Sequence, residues 1–544
     1  MSGYRMKLTT APLPGFDKRH NHRIISLCLP VAFFLIGFYY FNLRIAGTRF
    51  EYMPGDWGDS RFINYLLEHG YQFICGHLHS FWDAGVMYPY KPAIALSDNM
   101  LGTMPIYSLF RILGCSRETA YQCWWMTISA LNYWCCYLVL RKWTGQNLLS
   151  VCGAYIFAFG LFNLSQLNFM QMNCRFMVPP VLFAAYKLAT EPRLNYFALW
   201  CLGVLFQLYC VMYTGFILLY FSLLFILLLL VFNRSFSVFK FYLNRKRILL
   251  TLGICLISAS LMFLLIRPYL ITSKDTGFRL YREVVPNLPT LQSYFFAHPA
   301  SITWHFLSEH SKTVFPEWWL QDIFPGGILL LAFAGSMVWF LSALIHKRKK
   351  DPLFLALAAT SLLIFLVFTR TPGNHTLYGL IIKLPGMNSL RVLTRFMHVQ
   401  LFFLILLPIL AFQHFLSQSR FRTAFLILLP LLILADNQFT PDALTRTMKS
   451  EQQTRIEKLS ARIRSQDYRH YKALAYLPGG NEPVFKTQLD MMIVAQDLGV
   501  NCVNGYSSSC PPAFGLFFLK EHEEGLNKWL EETKTDSKDI LIMR

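Results

Sequence analysis

The run TGFILLYFSLLFILLLLVF, Thr214–Phe232, carries no charged residue. A helix of about 19 residues is what a bilayer core of about 30 Å requires. Similar runs recur along the chain. Of its 544 residues, 54% are hydrophobic and only 15% are charged, whereas a soluble domain carries about 25% charged residues. The expected fold class is therefore an all-α polytopic membrane protein. Apolar runs place membrane segments at roughly 24–41, 118–140, 148–163, 175–190, 196–212, 214–232, 248–266, 325–345, 353–369, 396–415 and 423–436, about eleven transmembrane helices. The first run, Ile24–Phe41, is too long for a cleaved signal and is followed by no A-x-A-like site, so it reads as an anchor.

The formal net charge of +20 would suit a nucleic-acid binder, but its distribution does not. There is no aromatic-plus-basic RNA motif and no long basic tail. The basic residues instead gather in short loops between apolar runs, the pattern of cytoplasmic loops. With Arg5, Lys7, Lys18, Arg19 and Arg23 placed in the cytoplasm, every loop on that side is basic. They carry Arg141/Lys142, Lys187/Arg193, Arg234/Lys240/Arg245/Lys246/Arg247, Lys347/Arg348/Lys349/Lys350 and Arg420/Arg422. The opposite side receives the long segments, at about 42–117, 267–324 and 370–395, and the tail from 437. Long loops in compact folds are usually functional. The expected organisation is a transmembrane part, 1–436, and a small extracytoplasmic C-terminal region, 437–544, of mixed α/β or irregular structure.

Within the first outer loop, residues 59–74 have the spacing of an amphipathic helix lying on the membrane surface. YPYKP (Tyr88–Pro92) is expected to be extended, because each proline disfavours helix in the residue before it. Ser97 or Asp98 offers a cap to a second short helix, about 99–113. In the tail, Glu451–Arg464 reads as a charged helix, Lys472–Pro478 as a strand, Met491–Gly499 as a helix closed by glycine, Asn504–Pro512 as a loop and 516–534 as a last helix. Most of the 13 cysteines lie in apolar runs as small hydrophobes. Cys502 and Cys510 sit in the polar tail, where a disulfide and two free thiols are both open readings.

The loop opens with MPGDWGDSRF, Met53–Phe62, which places Asp56 and Asp59 three residues apart. As purely structural residues, Asp56 would close an Asx-turn and Asp59 would cap the helix. Asp56 has no helix of its own to cap, which favours it as a base able to take a proton from a hydroxyl, with burial raising its pKa. A base of this kind at the water–lipid boundary suits a lipid-borne sugar joined to phosphate. The leaving group is then already a stable anion, so one base plus cations on the phosphate suffice, unlike glycoside hydrolysis with its second carboxyl. The expected phosphate-binding cations are Arg391 and Arg395, four apart in LPGMNSLRVLTRF and sharing a helix face, together with Arg267 and Arg279. Trp57, Trp82, Tyr88 and Tyr90 are candidate sugar contacts, as are Asp98 and Asn168. His77, His79, His305 and His310 show no paired ligand spacing, so no cofactor and no metal site is called for, and a divalent metal is left without support.

GDWGDSRF, FWDAGVMYPY, LSDNMLGTMPIYSLFRILG, FPGG (Phe324–Gly327), LPGMNSLRVLTRF and VNGYSSSCPP cover most of the chain in order. With one span followed by a long outer loop, they resemble the GT-C superfamily of membrane glycosyltransferases, and bacterial members of it in particular. That resemblance implies a multi-pass enzyme of the bacterial inner membrane that transfers a sugar, with inversion, from a polyprenyl-phosphate donor. The acceptor would be a glycan, lipid or protein, and the site would face the periplasm or cell exterior. The family's catalytic aspartate lies in this loop and maps onto Asp56 or Asp59. Relatives carry a histidine near the outer end of the third span where this chain has Asn168. The competing readings are a transporter or flippase of lipid-linked sugars, a polymerase or ligase of lipid-linked glycans working from 267–324, and a scaffold. A transporter would show internal repeats, broken paired spans or mid-membrane ionisable residues, and the sequence shows no repeat.

Overall fold

The computed structural model describes residues 20–234, 241, 244–315, 317–346, 351–416, 422–477, 482–520 and 523–544. The expected cytoplasmic charges Arg5, Lys7, Lys18, Arg19, Lys240, Lys347, Arg348, Lys349, Lys350 and Arg420, and Pro478 at the end of the expected strand, lie outside the described residues.

The chain is mostly helical. Among the described residues, four helices are long and apolar enough to cross a membrane: Leu27–Ala46, Met212–Asn233, Arg245–Thr276 and Leu393–Gln413. Leu194–Cys210, Gly327–Ser342, Pro352–Phe368 and Ala424–Asp436 are shorter apolar helices. The segment expected as one span at 148–163 is broken. Helix Asn147–Phe159 stops, and a 3₁₀ segment, Leu161–Asn173, leaves it at 46°. The cause is local: Gly160 is extended (φ −68°, ψ 167°), and Asn163 Nδ2 donates to its carbonyl at 3.1 Å. Asn437 Oδ1 takes the Leu161 N–H at 2.9 Å, so the freed backbone is satisfied from another helix end.

The Asp59–Ile74 helix forms where expected but does not lie open on a surface. Ser60 through Gly70 are all buried. Helix Val484–Leu498 of the tail covers its polar face, and the charged residues and histidine there find partners. Arg61 pairs with Asp490 at 2.5 Å, and Glu68 takes the Arg111 guanidinium at 2.8 Å and the Tyr107 hydroxyl at 2.6 Å. His69 Nε2 meets the Phe81 carbonyl at 2.7 Å. The next helix begins late, at Met104, and Asp98 does not cap it. Asp98 Oδ1 takes the Met212 N–H instead, at 3.1 Å. Tyr88–Pro92 is a pair of turns rather than an extended stretch, with cis bonds at Tyr88–Pro89 and Lys91–Pro92.

The tail folds onto this loop. β1 (Tyr52–Pro54), directly before Asp56, pairs antiparallel with β2 (Arg446–Met448), Tyr52 opposite Met448. β3 (Ala473–Tyr476), β4 (Asn501–Cys502) and β5 (Ile540–Met543) form a parallel sheet in the order β4-β3-β5, backed by Val484–Leu498 and by Phe514–Lys520 and Glu523–Glu532. The single helix expected over 516–534 is therefore two, and β4 and β5 had no sequence signal long enough to be read. Gly85 O accepts from Cys502 N at 2.8 Å and Tyr88 O from Trp529 Nε1 at 2.9 Å, which ties the loop to the sheet edge. Cys502 and Cys510 are free thiols.

Candidate active site

The Asp56 turn is built by its glycines. Gly55 sits at φ +88°, where a Cβ would collide with the Ser60 side chain and the Leu167 carbonyl. Its N–H donates to Thr445 O at 3.0 Å. The chain then doubles back, so that Asp56 Oδ1 accepts from the N–H groups of Gly58 and Ser60, both at 3.2 Å, and meets Ser60 Oγ at 3.4 Å. The expected Asx-turn is present, but the helix cap moves from Asp59 to Asp56. Asp56 closes the Asx-turn and also caps the Asp59–Ile74 helix, while Asp59 caps nothing. The Trp57-Gly58 spacer folds the earlier carboxylate over the first helical turn. Asp56 Oδ2 has no hydrogen-bond partner among the described residues, and the side chain is half-buried. Burial, followed by the charge of Asp59, raises Asp56 to about 6 against the pull of the N–H donors.

Asp59 Oδ1 accepts from the Tyr506 hydroxyl at 2.6 Å, across 447 residues of sequence. Burial and the Asp59 carboxylate both push Tyr506 up, so it stays a donor; Arg391 is the cation that opposes them. The Arg391 guanidinium is exposed, with no hydrogen-bond partner among the described residues. Arg391 and Arg395 do not share a helix face, because Arg391 precedes the 3₁₀ turn Leu393–Phe396 in extended chain. Tyr213 links them: its hydroxyl accepts from Arg391 N at 2.7 Å, and its ring lies 4.8 Å from the Arg395 guanidinium. Arg395 is also 4.8 Å from the Phe169 ring. Its charge acts on buried Asp98, which burial raises to about 6 and Arg395 pulls back.

The other expected residues divide. Trp57 joins the turn, with Arg61 at 5.3 Å and Lys486 at 4.8 Å from its ring. Asn168 joins it through its carbonyl, 3.4 Å from Ser60 Oγ. Arg279 instead holds the tail, donating to Ser508 O at 3.2 Å. Arg267 is exposed on helix Arg245–Thr276 and joins none of these contacts. Trp82 packs edge-on against Tyr269, Tyr88 is bound by its backbone to β4, and Tyr90 donates to Asp275 at 2.9 Å, so these three are structural joints. Among the described residues, no three His, Cys, Asp or Glu side chains are gathered as metal ligands.

The reading from sequence missed Tyr506, Tyr213 and a cavity of about 190 Å³ lined by Leu164, Ser165, Leu167, Asn168, His298, Trp318, Trp319, Asp322 and Thr445. Tyr506 stands in VNGYSSSCPP, a stretch that carries the family resemblance and forms the expected loop.

No protein-family model matches the chain, and no curated protein matches it in sequence. Among solved structures it is similar to the Archaeoglobus fulgidus oligosaccharyltransferase in the apo form, at 14% identity and TM-score 0.49 over 94% of this chain and 69% of that one. It is similar to the archaeal oligosaccharyltransferase AglB from Archaeoglobus fulgidus in complex with an inhibitory peptide and a dolichol-phosphate, at 13% identity and TM-score 0.48 over 94% and 69%. ArnT from Cupriavidus metallidurans in the apo state gives 9% identity and TM-score 0.35 over 89% and 85%. The chain resembles these GT-C membrane glycosyltransferases. At such scores the likeness assigns no chemistry to its residues.

Proposed function

We propose that this chain is an integral membrane glycosyltransferase. It moves a sugar from a polyprenyl-phosphate donor to a glycan, lipid or protein acceptor on the extracytoplasmic side, with inversion. The reading includes about eleven spans, a cytoplasmic N-terminus, a transmembrane part over 1–436 and an extracytoplasmic region over 437–544, in a bacterial inner membrane. Asp56 takes the proton of the acceptor hydroxyl as that oxygen attacks the sugar's anomeric carbon. The bond to the donor phosphate breaks, and the phosphate leaves as an anion beside Arg391 and Arg395. Asp59, held by Tyr506, orients the acceptor.

The observation that carries this reading is the Asp56 carboxyl. One oxygen is fixed by N–H donors, the other has no partner among the described residues, and burial raises the group to about 6. That is close to the working pH a general base requires. Guanidinium groups nearby suit phosphate better than an ammonium would, because their planar fork gives two parallel bonds.

The test is transfer from a polyprenyl-phosphate sugar in membranes carrying Asp56→Asn or Asp59→Asn. Loss of transfer in Asp56→Asn is expected, and full transfer in both variants would sink the reading.

A further inference from the structure

The cavity of about 190 Å³ shares its walls with the Asp56 turn. Thr445 lines it and accepts from Gly55 N at 3.0 Å. Leu167 and Asn168 line it, and their carbonyls lie 3.3 and 3.4 Å from Ser60 Oγ. The residues on both sides of Asp56 are therefore hydrogen-bonded to the cavity wall.

Its polar lining is incomplete. Asp322 is only 3% exposed, yet neither carboxylate oxygen has a hydrogen-bond partner among the described residues. Asn168 Oδ1 is buried without one as well. A buried acceptor left unpaired destabilises a fold, so two such groups facing one cavity need an explanation. His298 Nδ1 accepts from Ala300 N at 3.1 Å, and burial brings the ring down to about 4. The imidazole is therefore neutral, and its proton sits on Nε2. The wall thus offers the unpaired Asn168 and Asp322 oxygens and an imidazole donor, beside two indoles packed edge to face at 6.0 Å.

The occupant must supply hydrogen-bond donors. A phosphate is disfavoured, since no Lys or Arg lines the cavity to pair with it. A cation is disfavoured too, because burial holds the Asp322 carboxyl well above the usual carboxylate range against the pull of Lys312, which lies 5.5 Å from the Trp318 ring. Sites for drug-sized ligands run to roughly 300–1,000 Å³, so this one takes a single ring rather than a lipid or a peptide. A neutral ring with several hydroxyls and apolar C–H faces meets all of these conditions, its hydroxyls on Asp322 and Asn168 and a face on the indoles.

We propose that this cavity is a saccharide subsite. It holds one sugar ring of the acceptor through Asp322, Asn168 and Trp319, next to the Asp56 turn. The assignment to the acceptor rests on the glycosyltransferase reading; the sugar contact does not. The test is saturation-transfer NMR on the full-length protein in lipid nanodiscs, with methyl β-glucoside, methyl β-galactoside and methyl α-mannoside as probes and methylammonium as control. At least one glycoside is expected to receive saturation on its ring protons, with a loss of fivefold or more in Asp322→Asn and in Trp319→Ala. Trp319 is 43% exposed, so its removal leaves the fold intact and the result readable. Equal signals in the wild type and both variants, no contact with any glycoside, or contact with methylammonium alone would each overturn the proposal. Contact is read without catalysis, so transfer surviving in Asp56→Asn would fail the proposed base and leave this result standing.

Discussion

Two polar clusters touch the same kinked segment, Leu161–Asn173, and they are finished differently. In the first, Arg175 is fully buried. It donates to His398 Nδ1 at 2.8 Å and, through its other terminal nitrogen, to Phe157 O and Asn163 Oδ1, both at 2.5 Å. His398 Nε2 then donates to Gln166 Oε1 at 3.1 Å. Only Arg175 Nε is left over. A transporter needs polar groups free at a helix break to hold its cargo, and here they are spent on one another. The second cluster, around Asp56, leaves Asp56 Oδ2, the Arg391 guanidinium and Asp322 without partners among the described residues. A closed network rigidifies a fold, whereas an open one at a cavity is waiting for a ligand.

The largest effect should come from the open cluster and spare the fold. Asp56→Asn keeps Oδ1, and with it the bonds from Gly58 and Ser60, but removes the base. Transfer should fall by about 10²–10⁴-fold. Its stability should move the other way. Burial raises Asp56 from 3.8 to about 6. Across that window the folded chain holds a proton that the unfolded chain has released, so stability falls as pH rises through it, and the cost remains in full above it. Removing the charge should therefore stabilise the fold by about 1–3 kcal/mol above pH 6, read from thermal melts against pH. If transfer and melting temperature dropped together, Asp56 would be a cap and nothing more.

The closed cluster should behave in the opposite way. Arg175→Leu strands His398, Asn163 and the Phe157 carbonyl in a buried site, and should destabilise the protein by about 3 kcal/mol. Transfer per folded molecule should change little. A folded, inactive Arg175→Leu would move that network into the chemistry.

Sequence made parts of this contrast legible. Apolar runs mark most of the long helices, and Asp56, Asp59 and the LPGMNSLRVLTRF arginines stand out as candidates because charge beside a run of that kind is rare. Their partners were not found, because pairing is decided by tertiary contact. Tyr506 reaches Asp59 from 447 residues away. Nothing in the 59–74 pattern shows that Val484–Leu498 will cover its polar face. The Asp56 cap was hidden because a backward fold through Trp57-Gly58 depends on backbone angles. Asp322 is a lone acid in WWLQDIFPGG, just ahead of the FPGG stretch, and no periodic pattern marks it out.

Arg391 sharpens the open cluster next. Its exposed, unpartnered fork should bind donor phosphate, so Arg391→Gln should raise the donor KM about tenfold, close to one charged hydrogen bond, with a smaller change in kcat. Arg267→Gln, at an exposed position that joins none of the site contacts, is expected to leave the donor KM where it was.

The smallest effect separates the two acids by pH. Asp56 is raised first by burial and second by the charge of Asp59. If Asp56 is the base, activity rises as it deprotonates, giving an acidic limb near pH 6. Asp59→Asn removes the second cause while keeping an acceptor for Tyr506, so the limb should move down toward the ordinary carboxylate range. Tyr506→Phe removes neither cause. It should cost a few-fold in rate by loosening Asp59, about 1 kcal/mol for the lost hydrogen bond, and leave the limb in place. A pH–rate profile of both variants reads this directly. A limb that stays put in Asp59→Asn and vanishes in Tyr506→Phe would transfer the proton chemistry from Asp56 to the Asp59–Tyr506 pair, and the acid that caps the helix would then be structural after all.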